Sequence, residues 1–368
     1  MSTKPTSDDR MGLIEQARDL VLQGHAAAVA TRVPGWVIQS WQRCLDMGLQ
    51  PQQSVGFDTV TEQHMQRVQE ASQSLVQAAR PVLTELTRAI ADIRYFAILT
   101  NGEGIVVDVH GPVDRQDRRA DAIARVGVDL SERSVGTTAI SAALRELKPV
   151  WLHRGEHFFQ DTGIYSCAGA PVFGPDGLCA GMLDLTGIET QERPALRHLV
   201  QRSARSIENS WLLSTSHALV LRLSWPGHPP GGDSDGLVTL DPEGQVMGAN
   251  PAARQMLSLE TAPHPALHAS DIFALPWESL FDAAARPGQA QEVPLWSGLR
   301  LQVHATRSGA QAVGPSAMGI AAMPLKAIQT DMIRQAVQQA RGNVAEAARA
   351  LGISRATVYR KLGAKARP

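Results

Sequence analysis

The run YFAILTNGEGIVVDVHG, Tyr95–Gly111, decides the fold. YFAILT and GIVVDVHG are rich in β-branched and aromatic residues, and Asn101-Gly102 between them is a hairpin signal. A tight turn of this kind joins antiparallel strands. Downstream, DLSERSVGTTAISAAL, Asp129–Leu144, reads as a loop leading into a helix. PVWLHRGEHF returns as a strand and loop. YSCAGAPVFGPDGLCAGMLDLTG, Tyr165–Gly187, is a second hairpin turned at Gly174–Gly177, and a long helix follows over Glu192–Ser214. The order strand, strand, helix, three strands, helix predicts an α+β unit built on an antiparallel sheet.

Upstream, residues 1–90 read as helical. Ile14–Ala30 is amphipathic, and Thr61–Ile90 repeats Met65, Val68, Leu75, Val76, Leu83 and Leu86 at helical spacing. Between them VIQSWQRCLDMGLQP, Val37–Pro51, reads as a helix stopped by Gly48 and Pro51, with a core tryptophan. After Ser214, SWPGHPPGGDSD, Ser224–Asp235, reads as a linker. DGLVTLDPEGQVMGANPAARQMLSL, Asp235–Leu259, predicts two strands around an Asp241–Gly244 turn and a helix opened by Asn250-Pro251. Strand-like stretches recur at Gln291–Pro294 and Leu299–Ala305.

The end of the chain has a different texture. IRQAVQQARGNVAEAARALGISRATVYRKLG, Ile333–Gly363, predicts three short helices. Gly342-Asn343 ends the first and caps the second. Gly352 allows a tight turn, and Ser354 caps Arg355–Leu362. Ile333, Val337, Ala347, Leu351, Ile353, Val358 and Leu362 are the predicted core. From Lys326 to Pro368 there are nine Lys/Arg against two Asp/Glu, whereas the whole chain carries a formal charge of −1. A basic end on an acidic body is an electrostatic footprint for phosphates. The plainer reading is a solvated basic helical hairpin; the cap, turn glycine and basic last helix at matching spacing favour DNA binding.

Composition bounds the rest. The chain has 368 residues, 43% hydrophobic and 19% charged, which suits two or three soluble domains. No apolar run reaches membrane-spanning length, and MSTKPTSDDRMGL lacks a signal-peptide core, so a cytoplasmic setting is expected. Cys44, Cys167 and Cys179 are too scattered for a disulfide framework or a zinc site.

GNVAEAARALGISRATVYRKL resembles the Fis-type helix-turn-helix at the C-terminus of bacterial enhancer-binding activators. SWQRCLDMGLQP, LSERSVGTTAISAAL and EHFFQDTGIYSCAGAPVFGPDGLCAGMLDLTG resemble the GAF-type sensor of acetoin-regulator-like activators. Asp235–Leu259 is similar to the start of a PAS domain; the plainer alternative is a small α+β spacer. These resemblances imply a helical region over 1–90, a GAF-like sensor over 91–215, a PAS-like domain over 224–322 behind the linker, and a helix-turn-helix over 326–368. In that family an ATPase domain sits between sensor and helix-turn-helix. Here no GxxxxGK[ST] phosphate loop occurs, and too few residues separate the last strands from the terminal helices to hold such a domain.

Candidate site residues follow. An effector pocket in the sensor is expected among Phe96, Ile98, Trp151, His157, Phe158, Tyr165, Cys167 and Met182, although a strand's cavity face cannot be assigned before its register is known. His153, His157, Tyr165 and Cys167 suggest a metal site less well, because Gly155 interrupts any helix between the histidines. Cys167 reads as a buried apolar residue rather than a redox sensor, with nothing basic beside it to stabilise a thiolate. Asp129, Glu132 and Asp184 lack the partners that catalysis needs, so no enzyme site, metal or cofactor is expected. In the last helix Ser354, Arg355 and Thr357 are placed at base edges, and Tyr359, Arg360 and Lys361 at phosphates. Asn343 is both cap and phosphate contact.

The expected protein is a ligand-responsive transcriptional regulator. It would bind a small-molecule effector and palindromic double-stranded DNA as a homodimer, act without ATPase activity and touch RNA polymerase or a partner. The alternative is an antagonist or co-regulator that hetero-oligomerises with a full-length sigma-54-dependent activator. A misread enzyme is a third reading, which measurable ATP turnover would favour.

Overall fold

A computed structural model describes residues 7–25, 33–228, 231–232, 234–259, 267–286 and 288–308, and, near the C-terminus, 333–334, 336–337, 340, 342–351 and 354–362. Helix α1 spans Ser7–Leu22, α2 Gly35–Asp46 and α3 Glu62–Ala89. The stop signals act as physics requires. Gly48 takes φ +81 just past α2, and the Thr61 hydroxyl accepts from the His64 N–H at the start of α3. The helix expected to run to Ala30 ends at Leu22, where Gly24 turns the chain at φ +80. Residues 26–30 lie outside the described residues.

Strands β1 (Tyr95–Asn101), β2 (Val106–His110), β3 (Val150–His153), β4 (Tyr165–Phe173) and β5 (Cys179–Ile188) form one antiparallel sheet in the order β2-β1-β5-β4-β3. Helices α4 (Arg118–Ile123), α5 (Glu132–Val135) and α6 (Ala139–Glu146) lie between β2 and β3, and α7 (Leu196–Ser214) follows β5.

Register fixes the two faces of this sheet. Tyr95, Ala97, Leu99, Ala168, Ala170, Leu183 and Leu185 pack with α3 and α7 in one core. Phe96, Ile98, Cys167 and Met182 face a second core with α4 and α6. The helix α3 therefore shares its core with the sheet, and position 90 is not a structural divide. Helices α1 and α2 make a third cluster around Trp41, closed by Phe158 and Phe159.

A second antiparallel sheet holds β6 (Leu219–Ser224), β7 (Gly236–Leu240), β8 (Val246–Ala249), β9 (Gln291–Pro294) and β10 (Arg300–Arg307), in the order β8-β7-β6-β10-β9. Helices α8 (Pro251–Leu257), α9 (Ala269–Ile272) and α10 (Glu278–Ala283) accompany it. The Asn250 side chain caps α8, accepting from the Ala253 N–H at 2.8 Å. One expectation is corrected here. The Pro/Gly-rich segment 224–235 is not a linker between domains, because β6 pairs with β7 from Leu219↔Leu240 to Leu223↔Gly236. It is a hairpin connection, and the second sheet begins before it. The buried alternation Leu219, Leu221, Leu223 was the sequence signal for that strand.

At the C-terminus, α11 (Val344–Ala350) and α12 (Arg355–Leu362) pack around Ile333, Ala348 and Val358, with Val337, Val344, Leu351 and Leu362 against them. Gly352 and Ile353 lie outside the described residues.

Gly181 shows how tightly the first sheet is drawn. A Cβ at this position would collide with the Thr100 carbonyl across the β1–β5 pair. Gly181→Ala is expected to destabilise the fold by at least ~2 kcal/mol, since backbone rather than a mobile side chain must give way. Urea unfolding of parent and variant checks this.

Candidate functional site

Beneath the second face of the first sheet lies an enclosed cavity of about 10 Å³. Its polar wall comes from β4 and β5, where Cys167 pairs with Thr186 and Gly169 with Asp184. Cys167, Asp184 and Thr186 share a face because strand side chains alternate. Thr138, Ala139 and Ile140 line another wall at the start of α6. A capping box fixes that start: Thr138 accepts from the Ser141 N–H, and the Thr138 N–H donates to Ser141 Oγ. Leu130, Thr162, Tyr165, Ile123, His157 and Phe57 complete the enclosure.

Two buried polar atoms on this lining have no hydrogen-bond partner: Asp184 Oδ1 and His157 Nε2. Asp184 is 1% exposed. Its other oxygen accepts from the Thr186 hydroxyl. Burial pushes the Asp184 carboxyl up to about 7, with the Thr186 bond opposing. Burial holds the His157 imidazole down to about 4. His157 Nδ1 lies 2.8 Å from the Arg154 carbonyl, so Nδ1 carries the hydrogen and Nε2 is a bare acceptor. Burial also raises the Cys167 thiol well above its ordinary value, which keeps it protonated. The cavity thus offers two unsatisfied polar atoms in an apolar enclosure: a bare imidazole acceptor, and a carboxyl oxygen that carries the proton below about pH 7 and accepts above it.

Of the residues expected in a pocket, His157, Tyr165 and Cys167 line this cavity. Phe96, Ile98 and Met182 lie in the surrounding core without lining it. Trp151 is a correction: it packs against the α3–α7 core on the opposite face, one position out of phase with Leu152. Phe158 is another. Its ring meets Phe159 edge-on at 5.1 Å and joins the α1–α2 cluster. Asp184, Thr186 and Phe57 were missed. Asp184 lacks a catalytic partner, yet a polar residue inside the apolar run LCAGMLDLTG was a usable signal for a buried polar contact.

His153 and His157 do not converge. His153 Nδ1 lies 2.7 Å from the Ser166 hydroxyl, and no group of three His, Cys, Asp or Glu side chains among the described residues could hold a metal.

The motif SWQRC on α2 braces this site. Arg43 donates to both oxygens of Glu132 at 2.8 and 2.7 Å, and the Ser40 hydroxyl reaches Glu132 at 2.5 Å and Thr137 at 2.7 Å. Trp41 Nε1 donates to the Glu156 carbonyl at 3.0 Å, and Arg18 donates to the carbonyls of Gly155 and His157. The N-terminal helices therefore hold both loops that carry cavity residues.

On the terminal helices, Asn343 Oδ1 accepts from the N–H groups of Ala345 and Glu346 at 3.1 and 3.2 Å, and Ser354 Oγ accepts from the Thr357 N–H at 3.1 Å. Ser354, Arg355, Tyr359 and Arg360 are exposed, Thr357 is half-buried, and Val358 is fully buried. The exposed set lies opposite the packed face. The Lys361 side chain lies outside the described residues.

The family profile described as MimR, N-terminal domain, matches residues 13–209, from α1 through α7. The chain belongs to the MimR N-terminal domain family. Residues 324–364 match the profile of bacterial regulatory proteins of the Fis family. The acetoin catabolism regulatory protein of Cupriavidus necator is 27% identical over 255 residues, covering 66% of this chain and 37% of that protein. MimR of Mycolicibacterium goodii, a propane 2-monooxygenase operon transcriptional activator, is 27% identical over 197 residues, covering 53% and 32%. The chain spans about a third of the length of these relatives. The crystal structure of the Escherichia coli DhaR(N)–DhaL complex aligns at a TM-score of 0.46 and 14% identity, over 74% of this chain and 99% of that one. The chain thus joins a MimR-type, GAF-like N-terminal domain to a segment that matches bacterial regulatory proteins of the Fis family. No helix among the described residues is long and apolar enough to cross a membrane.

The buried pair makes a pH prediction. Folded Asp184 keeps its proton up to about pH 7, whereas an unfolded aspartate does so only to about 3.9. Across that window the folded chain binds the extra proton. Stability therefore falls as pH rises, by up to about 1.4 kcal/mol per pH unit. His157 acts in the opposite sense between about pH 4 and its unfolded value near 6.5, where the unfolded chain takes the proton. Asp184→Asn removes only the first contribution. Its stability relative to the parent is expected to increase from pH 4 to 7 and then level off, read from urea midpoints at pH 5, 6 and 8. Parallel profiles would contradict the buried carboxyl.

Proposed function

We propose that this chain is an effector-responsive DNA-binding regulator whose sensor takes a short, neutral, hydroxyl-bearing metabolite. The unpartnered Asp184 Oδ1 and His157 Nε2 on one enclosed cavity carry this reading. Buried polar atoms left unpaired are costly, and a ligand hydroxyl, which both donates and accepts, would satisfy either one. A carboxylate ligand would meet the bare His157 acceptor and no cation on the lining. The relatives' roles in acetoin catabolism and in a propane 2-monooxygenase operon support a small oxygenated effector.

The output is DNA. Arg355 sits at the start of α12, where side chains of a helix-turn-helix reach base edges, and can bridge guanine. Tyr359, Arg360 and Lys361 follow as phosphate contacts. A palindromic site bound by a homodimer suits so short a reading unit. The short span between β10 and the terminal helices and the missing phosphate loop support action without an ATPase of its own. The chain would then work through RNA polymerase or an ATPase-bearing partner.

The effector is tested by thermal shift with short alcohols, diols and hydroxyketones, acetoin first, on the full chain. At least one is expected to raise the melting temperature, and Asp184→Asn is expected to weaken that shift. A panel in which only charged compounds shift the chain would sink the neutral-effector assignment. For the output, Arg355→Ala is expected to weaken specific binding by about 1–3 kcal/mol in gel shift on its upstream region while leaving melting unchanged. No shifted band for the parent at low salt would favour the antagonist reading.

A further inference from the structure

The sensor cavity is closed to organic molecules as it stands. About 10 Å³ is room for roughly one water. An effector therefore has to move part of the wall, and the structure indicates which part. Phe57 and Tyr165 line the cavity and also line a broad outer groove of about 470 Å³, together with Val55, Arg118, Gln160 and Asp161. Their rings meet edge-on, with centroids 6.2 Å apart and planes at 86°. Phe57 and Tyr165 are the lining residues that groove and cavity share.

The two rings are held differently. Tyr165 begins β4 in register with Ile188, and its hydroxyl donates to the Arg119 carbonyl at 3.0 Å. Phe57 belongs to no helix or strand; it lies in the connection from α2 to α3 with φ +50. That left-handed conformation is disfavoured for a bulky side chain and persists only where surroundings impose it. Here they do. Asp161 accepts from the Ser54 hydroxyl at 2.9 Å and the Val55 N–H at 3.3 Å. On the other flank the Asp58 carbonyl accepts from the Asp129 N–H at 3.0 Å, and the Phe57 carbonyl itself accepts from Arg125 Nη2 at 3.0 Å. The remaining lining is poorer material for a door. Cys167, Asp184 and Thr186 sit in the sheet, and Thr138–Ile140 are fixed by the capping box of α6.

We propose that Phe57 is the door of the sensor cavity. The effector passes from the outer groove by displacing the Phe57 ring from Tyr165, and a bound effector keeps it displaced. This assignment rests on the cavity being the effector site. It also gives the site an output. The strap carrying Phe57 joins α2, which clamps Glu132, to α3, which packs against α7. A displaced strap therefore acts on both sides of the sheet.

Cysteine accessibility tests the door without an effector. Cys167 is in the cavity wall, Cys44 is buried among the N-terminal helices, and Cys179 is partly exposed. The folded full chain is treated with iodoacetamide, and each cysteine is followed by peptide mass spectrometry. Phe57→Ala is expected to speed Cys167 alkylation at least tenfold and leave Cys44 at the parent rate. Phe57→Leu is expected to fall between, and it keeps the test open if the alanine variant does not fold. An unchanged Cys167 rate in a folded variant overturns the door. So does equal acceleration of Cys167 and Cys44, which would report a loosened fold. The two readings fail separately. Gated Cys167 in a chain that binds no hydroxylated compound sinks the effector assignment, and ungated Cys167 in a chain that binds one sinks the door.

Discussion

The grip of α2 on Glu132 organises the sensor. Arg43 donates to both carboxylate oxygens, the Ser40 hydroxyl donates to one of them, and the Thr137 hydroxyl donates to the same serine. Charge-assisted bidentate bonds are the strong and geometrically specific ones. This one is mostly shielded from water, with Arg43 and Glu132 side chains 26% and 18% exposed. It fixes α5, and through Gly136–Thr138 it fixes the start of α6, which lines the cavity. The α1–α2 pair does the same for the 154–159 loop through Arg18 and Trp41. The cavity thus depends on helices far from it in sequence.

Much of the frame was legible beforehand. Asn101-Gly102, the glycines at 174 and 177, Thr61, Asn250, Asn343 and Ser354 all act where local chemistry placed them, because caps and turns are set by near neighbours. The β1–β2 and β4–β5 pairings followed from the hairpin turns. What was not legible depended on distant pairing. Trp151 and Phe158 were assigned to the cavity because they are large and apolar; the β3–β4 register turns the first to the other face, and the α1–α2 cluster takes the second. Asp184 looked idle in sequence, since its meaning comes from what lies opposite β5. SWQRC read as a core tryptophan with a helix stop, and only the fold brings Glu132 to it. The segment 224–235 has the composition of a linker, and composition alone cannot tell a hairpin loop from one.

The cavity also shows why burial and function are linked. A neutral His157 and a carboxyl near its titration point are what an apolar enclosure makes of a histidine and an aspartate. Both groups would be better satisfied with a ligand present. The sensor therefore has unspent interaction free energy that is available only to a molecule small enough to enter and polar enough to bond.

The tip of the β4–β5 hairpin has a consequence of its own. The Pro175 carbonyl there accepts from the Ala249 N–H at 3.0 Å, and Asn250 Nδ2 donates to Asn209 Oδ1 of α7 at 2.8 Å. The same hairpin carries Cys167 and Thr186 at its other end. A paired two-stranded ribbon is stiff along its length, so one rigid rod touches the cavity at one end and the second sheet at the other. A chimera that grafts this sensor onto another output, joined anywhere near residue 216, would keep the chain continuous and still cut that rod. Transplanted sensing would need the 246–254 surface to travel with the sensor.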